Sequence, residues 1–303
     1  VKKQILAHVS LALAMIIAGS SVVAGKLIVA KIPVFLAAGI RFGIASIFLL
    51  PLAIRRERPT AHPGRRGWLF LFLQAFCGAF LFTICLFLGL SRTGATEAGL
   101  ITSTTPAMIA VLSVLFLHES LDLAKAAGVT LAVCGILLST AGATTGTSAW
   151  IGNLLIFGAV IGEALFTIFR KALPASISPL FTAVSMCLFS FLLFMPLAIP
   201  QTLGFDFSSL TLQDWGLLFY YGIVVSGIGF MLWFTGVSNT EATTAAVYTG
   251  LMPVSAILFS CLILHETIHL RHVAGMLAIL CGLGLMIRNT LSNRGDMTDV
   301  EPV

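Results

Sequence analysis

Window after window of eighteen or more residues along this chain carries almost no charge, and this is the feature that most restricts its fold. Each window supplies the ~20 apolar residues that one helix needs to cross a hydrocarbon layer of about 30 Å. Only 10% of the 303 residues are charged and 58% are hydrophobic, against ~25% charged in soluble domains. That alphabet excludes a water-soluble fold. The polar connections are short, so the expected architecture is one all-α membrane bundle with no soluble enzyme domain attached.

Charge minima and turn signals place ten helices near residues 5–25, 33–54, 67–90, 95–117, 124–142, 150–171, 177–200, 213–236, 242–263 and 272–288. The first, Ile5 to Gly25 behind Lys2 and Lys3, is read as a span rather than a leader because further spans follow it. The longest basic run, from Arg55 to Arg66, assigns the second connection to the cytoplasm by the positive-inside rule. With ten spans both termini are then cytoplasmic, and twelve Lys and Arg residues fall inside against four outside. The expected location is the bacterial inner (plasma) membrane, where the net charge of +5 meets anionic headgroups. No basic-aromatic groove points to nucleic acid. The polar tail 292–303 is expected to be disordered. All six cysteines fall in apolar stretches without a C-x-x-C pair, which favours packing over disulfides or metal.

Laid on itself at a shift of 147 residues, the chain matches without gaps. Trp68 falls on Trp215, Gly89 on Gly236, Pro106 on Pro253, Leu117-His118-Glu119 on Leu264-His265-Glu266, and Cys134-Gly135 on Cys281-Gly282. The second helix repeats too, with Pro51 matching Pro196 at a shift of 145. The reading is two five-helix repeats, 1–147 and 148–291, followed by the tail 292–303. Five is odd, so the second copy enters the membrane from the opposite side. Inverted repeats of this kind give two near-equivalent packings around one central site, a transporter signature.

The doubled stretches GATEAGLITSTTPAMIAVLSVLFLHESL and NTEATTAAVYTGLMPVSAILFSCLILHETI, each followed by a Gly-containing last helix, resemble the drug/metabolite transporter superfamily, and within it the EamA-type branch. The resemblance covers essentially the whole chain. It implies a ten-helix secondary transporter rather than an enzyme, with a small-molecule substrate and no cofactor. Likeness in length and layout to amino-acid exporters of the YddG type implies export of amino acids or similar metabolites.

Within the spans, a few residues offer chemistry. Proline inside a helix frees the carbonyl four residues earlier, here those of Thr102 and Thr249 ahead of Pro106 and Pro253, which makes the two prolines candidate hinges. The neighbouring hydroxyls, Thr102, Ser103 and Thr249, either contact substrate or rescue their own helices. Glu163 and Arg41 are ionisable residues within spans, a functional expectation because a lipid-facing charge is costly. Glu163 is a candidate partner for a substrate ammonium; Arg41, whose depth in its span differs from that of Glu163 by roughly 6 Å at 1.5 Å per residue, is long enough to reach it and, lying between Gly39 and Gly43, is either a site residue or half of a structural pair. Trp233, Tyr248 and Gln74 are candidates for lining the cavity with flat apolar surface and a few donors. Glu97 and Glu241 open the fourth helix of each half, where a carboxylate complements the helix N-terminus, and are expected to be caps.

One motif points elsewhere. His265-Glu266-Thr267-Ile268-His269 fits the H-E-x-x-H zinc protease pattern. Its repeat equivalent, His118-Glu119-Ser120-Leu121-Asp122, lacks the second histidine, and the motif falls in a connection rather than on a helix, so the repeat accounts for the His-Glu pair and no metal is expected. A channel or scaffold is the other alternative, but no ring of like charges or repeated filter sequence stands out.

Overall fold

The computed structural model describes residues 2–56, 63–90, 92, 101–102, 104–120, 122–140, 150–264, 270, 273–282 and 285. In hydrocarbon every backbone N–H and C=O must be satisfied within its own segment, and the described residues meet that demand with helices. These are α1 (Lys2–Val29), α2 (Val34–Arg56), α3 (Gly64–Ala75, a π-helical Phe76–Leu81, then Phe82–Leu90), α4 (Thr105–Leu117) and α5 (Leu123–Thr140). The second half holds α6 (Trp150–Ala172), α7 (Pro179–Leu203), α8 (Leu212–Phe219, a π-helical Tyr220–Gly229, then Phe230–Asn239), α9 (Ala242–Tyr248, then Leu251–Leu264) and α10 (Val273–Gly282). Seven of the described helices are long and apolar enough to cross a membrane, while Thr105–Leu117 and Val273–Gly282 are shorter apolar helices. Large apolar side chains such as Ile47, Ile54 and Leu262 point outward at 70–76% exposure, as expected where lipid rather than water is the solvent. The tail 292–303, the fold of the basic loop around Arg58 and the HETIH segment lie outside the described residues.

The packing of the halves follows the repeat. Gly39 and Gly43 of α2 face Ala198 and Phe191 of α7, and Phe42 stacks on Phe194 at 5.9 Å and 8°. This pair of second helices forms the central seam. The first helix of each half crosses to the other half. α1 runs antiparallel to α8, with Leu11 against Gly236 and Ile17 against Gly229, and parallel to α9, where Ser255 donates to the Met15 carbonyl at 3.2 Å. α6 repeats the arrangement on α3 and α4, with Gly162 against Cys77, Ile156 against Gly89, and Glu163 beside Thr105. The sequence halves are therefore interleaved rather than side by side, and a simple rocking of one sequence half on the other would pull α1 and α6 out of their partners.

The repeat extends to a detail of backbone geometry. At the 147-residue shift the π-helical Phe76–Leu81 falls on 223–228, inside the π-helical Tyr220–Gly229. π-turns widen a helix locally and recur at functional sites. Here they admit close backbone contacts: a Cβ on Gly162 would lie 2.7 Å from the Cys77 carbonyl oxygen, and one on Gly222 would lie 3.0 Å from that of Arg41.

The bundle has two ends. One, the N-face, carries the start of α1, the end of α2, the start of α3, the end of α4 and the α8–α9 junction; the far face carries the α1–α2 and α7–α8 connections, where Lys31 pairs with Asp214 at 2.8 Å. Thr211 and Asp214 close a capping box on the first turn of α8 there.

Candidate functional site

The expected proline kinks are breaks. Pro106 is at the start of the described α4, after a turn in which Thr104 N–H donates to the Ile101 carbonyl at 3.0 Å. α9 stops at Tyr248 and restarts at Leu251, two residues before Pro253. The carbonyls that the prolines free are taken up locally: Thr105 Oγ1 donates to Thr102 O at 2.9 Å, and Met252 N–H donates to Thr249 O at 3.1 Å. Each fourth helix is thus discontinuous at mid-depth, and each restarted helix turns its N-terminal end, the positive pole of its dipole, toward the middle of the bundle.

Glu163 stands at this level. α6 carries it one residue beyond Gly162, whose missing side chain lets α6 close on the π-turn of α3. Its Oε2 lies 3.2 Å from Thr105 Oγ1, at the first turn of the restarted α4. The threonine has one hydroxyl proton and two acceptors in reach, the Thr102 carbonyl and the Glu163 carboxylate. When that proton serves Thr102, the carboxylate is left with the helix N-terminus as its favourable neighbour and with capacity for an outside donor.

Two adjoining cavities, about 160 and 360 Å³, share Phe82, Glu163, Thr249 and Met252. The larger extends toward the far face along Val22, Leu86, Thr102, Pro106, Pro253 and Ala256. The smaller reaches toward the N-face between Met15, Gly78, Phe166, Phe230 and Trp233. Both π-turns border it, through Gly78 and Val225, which are repeat equivalents. Trp233 lines the smaller cavity at 4% exposure, and its buried Nε1–H has no acceptor among the described residues.

Of the residues singled out from the sequence, Glu163, Thr102, Thr249, Trp233, Pro106 and Pro253 come together around these cavities. Ser103 lies outside the described residues. Tyr248 faces away: its hydroxyl meets His8 Nδ1 at 2.9 Å, tying α9 to α1. Gln74, fully buried, donates to the Phe166 carbonyl at 3.1 Å and holds α3 on α6 behind the cavity wall. Arg41 forms no pair with Glu163. Its guanidinium lies 4.3 Å from the Phe42 ring centroid and 5.0 Å from that of Tyr221, because α2 packs on α7 and α8 while Glu163 faces α4. The sequence reading missed Phe82, Phe166 and Met252. Phe166 carried a signal, since it follows Glu163 by three residues and so shares its helix face.

Beyond the cavity, a set of polar ties links the helices at the N-face. Glu241 occupies the N-cap of α9 but makes no side-chain cap bond, contrary to expectation; it pairs with Lys125 of α5 instead. The cap comes from the other half: Glu119 accepts from Ala242 N–H at 2.7 Å, Thr243 N–H at 3.1 Å and Thr243 Oγ1 at 3.0 Å. His118 adopts the left-handed conformation at φ 54°, which ends α4 and turns Glu119 toward α9. Arg170 donates to Ser238 Oγ and the Ile177 carbonyl, and Lys171 to the Thr240 carbonyl. Glu97 lies outside the described residues. No group of three metal-ligating side chains occurs among the described residues, and the HETIH motif is not among them.

Comparison with known proteins agrees with this architecture. A crystal structure of a protein 17% identical in sequence superposes with a TM-score of 0.78 over 97% of this chain and 98% of that one, a likeness of fold. Among relatives, the uncharacterised transporter YetK of Bacillus subtilis is 44% identical over 287 residues, covering 93% of this chain and 87% of its own. The uncharacterised transporter YvbV of the same organism is 29% identical over 274 residues, 86% and 85% of the two chains. These relatives are named as transporters, not enzymes. The profile of the EamA-like transporter family matches twice, over residues 5–141 and 150–288, and the chain belongs to that family, a multi-pass membrane transporter of the drug/metabolite transporter superfamily.

Proposed function

We propose that the chain exports amino acids or amine-bearing metabolites of similar size across the bacterial inner membrane, by alternating access to a central site at Glu163. The observation that carries this reading is the position of Glu163: the one carboxylate among the described residues that border the two cavities, beside the broken helix of Thr105 and at the cavity wall it shares with Thr249 of the other. A substrate ammonium placed there gains a charge-assisted hydrogen bond, and the surrounding hydroxyls of Thr102, Thr105 and Thr249 supply orientation. The basic connections put the N-face in the cytoplasm and the larger cavity on the outer side, with ten crossings in all. In this arrangement the protein is closed inward.

The moving units follow the packing rather than the sequence halves. α6 travels with α3 and α4, α1 travels with α8 and α9, and the α2–α7 pair is the seam between them. The breaks before Pro106 and Pro253 absorb the change in helix direction. A channel fits less well, because the ties of Glu119, Lys125, Arg170 and Lys171 link the helices at the N-face.

The test is counterflow of a panel of labelled amino acids and amines in proteoliposomes, for the wild type and Glu163→Gln. Saturable flux that Glu163→Gln reduces by tenfold or more, about 1.4 kcal/mol in transition-state terms, is the expected result. Flux in no member of the panel, or flux indifferent to Glu163, would retire the reading.

A further inference from the structure

The lining of the two cavities is chemically one-sided. Glu163 is the one charged side chain among the described residues that border them. Arg41, the nearest candidate for a balancing cation on sequence grounds, does not border them and is stacked on Phe42 and Tyr221. The rest of the described lining is made of aromatic and apolar groups with a few threonine hydroxyls, and one further polar group, the Trp233 indole, whose N–H is buried and without an acceptor among the described residues.

Charge balance then separates two kinds of substrate. An organic ammonium neutralises Glu163. A zwitterion brings the same ammonium together with a carboxylate, which must be desolvated beside an existing negative charge with no cation among the described lining residues, and a buried charge without a partner is strongly disfavoured. The orphan Trp233 N–H points the same way. One neutral donor satisfies a hydroxyl, ether or carbonyl oxygen, but it does not offset a full negative charge. Glu163 and Trp233 border the smaller cavity together with Phe166 and Phe230, so an apolar or aromatic body fits between the two polar anchors.

Resting on the reading of these cavities as the transport site, we propose that the ligand is a primary amine with an apolar body and a neutral oxygen acceptor in place of a carboxylate, its ammonium on Glu163 and its acceptor on Trp233 Nε1. Within the amino-acid-like class, amino alcohols, amides and esters are thus preferred over the free amino acids, and Trp233 sets the preference for an acceptor.

The test is binding of three probes to the full chain in lipid nanodiscs at neutral pH: phenylalaninol, phenethylamine and phenylalanine. Phenylalaninol is expected to bind at least about tenfold more tightly than phenylalanine, with phenethylamine between them. Glu163→Gln removes the preference for phenylalaninol over phenylalanine, Glu163→Asp retains its direction, and Trp233→Phe narrows the advantage of phenylalaninol over phenethylamine to about twofold or less. Phenylalanine binding as tightly as phenylalaninol, in a Glu163-dependent manner, would overturn the ligand class and leave the transport site standing. No binding of any probe, or binding that ignores Glu163, would overturn both. Monodisperse elution of each variant and the Asp variant's retained preference separate loss of the site from loss of the fold.

Discussion

Glu119, in the first half of the chain, caps α9 in the second, its carboxylate meeting the Ala242 and Thr243 amides at 2.7 and 3.1 Å. A carboxylate at a helix N-terminus satisfies orphan donors and complements the dipole. Because α4 and α9 belong to different halves and pack on each other through Ile109, Ala110, Ala246 and Val247, this contact also ties the two halves together at the N-face. Glu119→Ala is expected to cost about 0.5–2 kcal/mol of local stability. Hydrogen exchange at residues 242–245 should then accelerate by about twofold to thirtyfold, with the fold otherwise intact. Unchanged exchange there would mean that the tie carries no energy.

Two helical glycines should behave oppositely. At Gly162 an added methyl meets the Cys77 carbonyl oxygen at 2.7 Å, backbone against backbone, whereas at Gly216 nothing lies within 4 Å. Gly162→Ala should lower stability by roughly 1–3 kcal/mol through overpacking, while Gly216→Ala should be neutral or stabilising by up to about 1 kcal/mol because it sits in a helix. Thermal unfolding of both variants in the same detergent checks the contrast.

Pro253→Ala restores an N–H at the break in α9 and lets the restarted helix extend backward toward Thr249. If that break absorbs the transport motion, the variant should bind substrate with little change yet turn over more slowly, by about threefold or more. Comparison of binding with counterflow rate separates the two. An equal loss of both would place Pro253 in the site rather than in the hinge.

The sequence made the membrane class and the internal repeat plain, because hydropathy and self-similarity are properties of the order of residues alone. Pro106, Pro253 and Glu163 were also visible, as exceptions within apolar runs. What was hidden depends on how helices cross. Nothing in the order of residues says that α1 and α6 pack on the opposite halves, and Arg41 therefore looked able to reach Glu163 when its helix faces the α7–α8 side. Gln74 and Tyr248 were polar groups of the right kind, but their hydrogen bonds to Phe166 and His8 hold helices together beside the cavity. The cap on α9 was expected from Glu241, the residue adjacent in sequence; Glu119 supplies it because the His118 turn delivers a carboxylate from another helix. The paired π-turns left no common mark in the order of residues, since Tyr220–Gly229 holds three glycines and Phe76–Leu81 one.

The central claim is that Glu163 is exposed alternately to the two sides, which requires the N-face ties to open and close. Lys125 and Glu241, paired across that face, are the place to test it. In a background without native cysteines, Lys125→Cys and Glu241→Cys would be joined by a short, reducible bis-thiosulfonate linker, which avoids the strict geometry of a direct disulfide. Counterflow of labelled phenylalaninol or phenylalanine, whichever saturates in the unlinked protein, is then measured in proteoliposomes. Alternating access predicts that linking stops counterflow and that reduction restores it. Continued counterflow at the unlinked rate, with the link shown to be complete, would contradict the account.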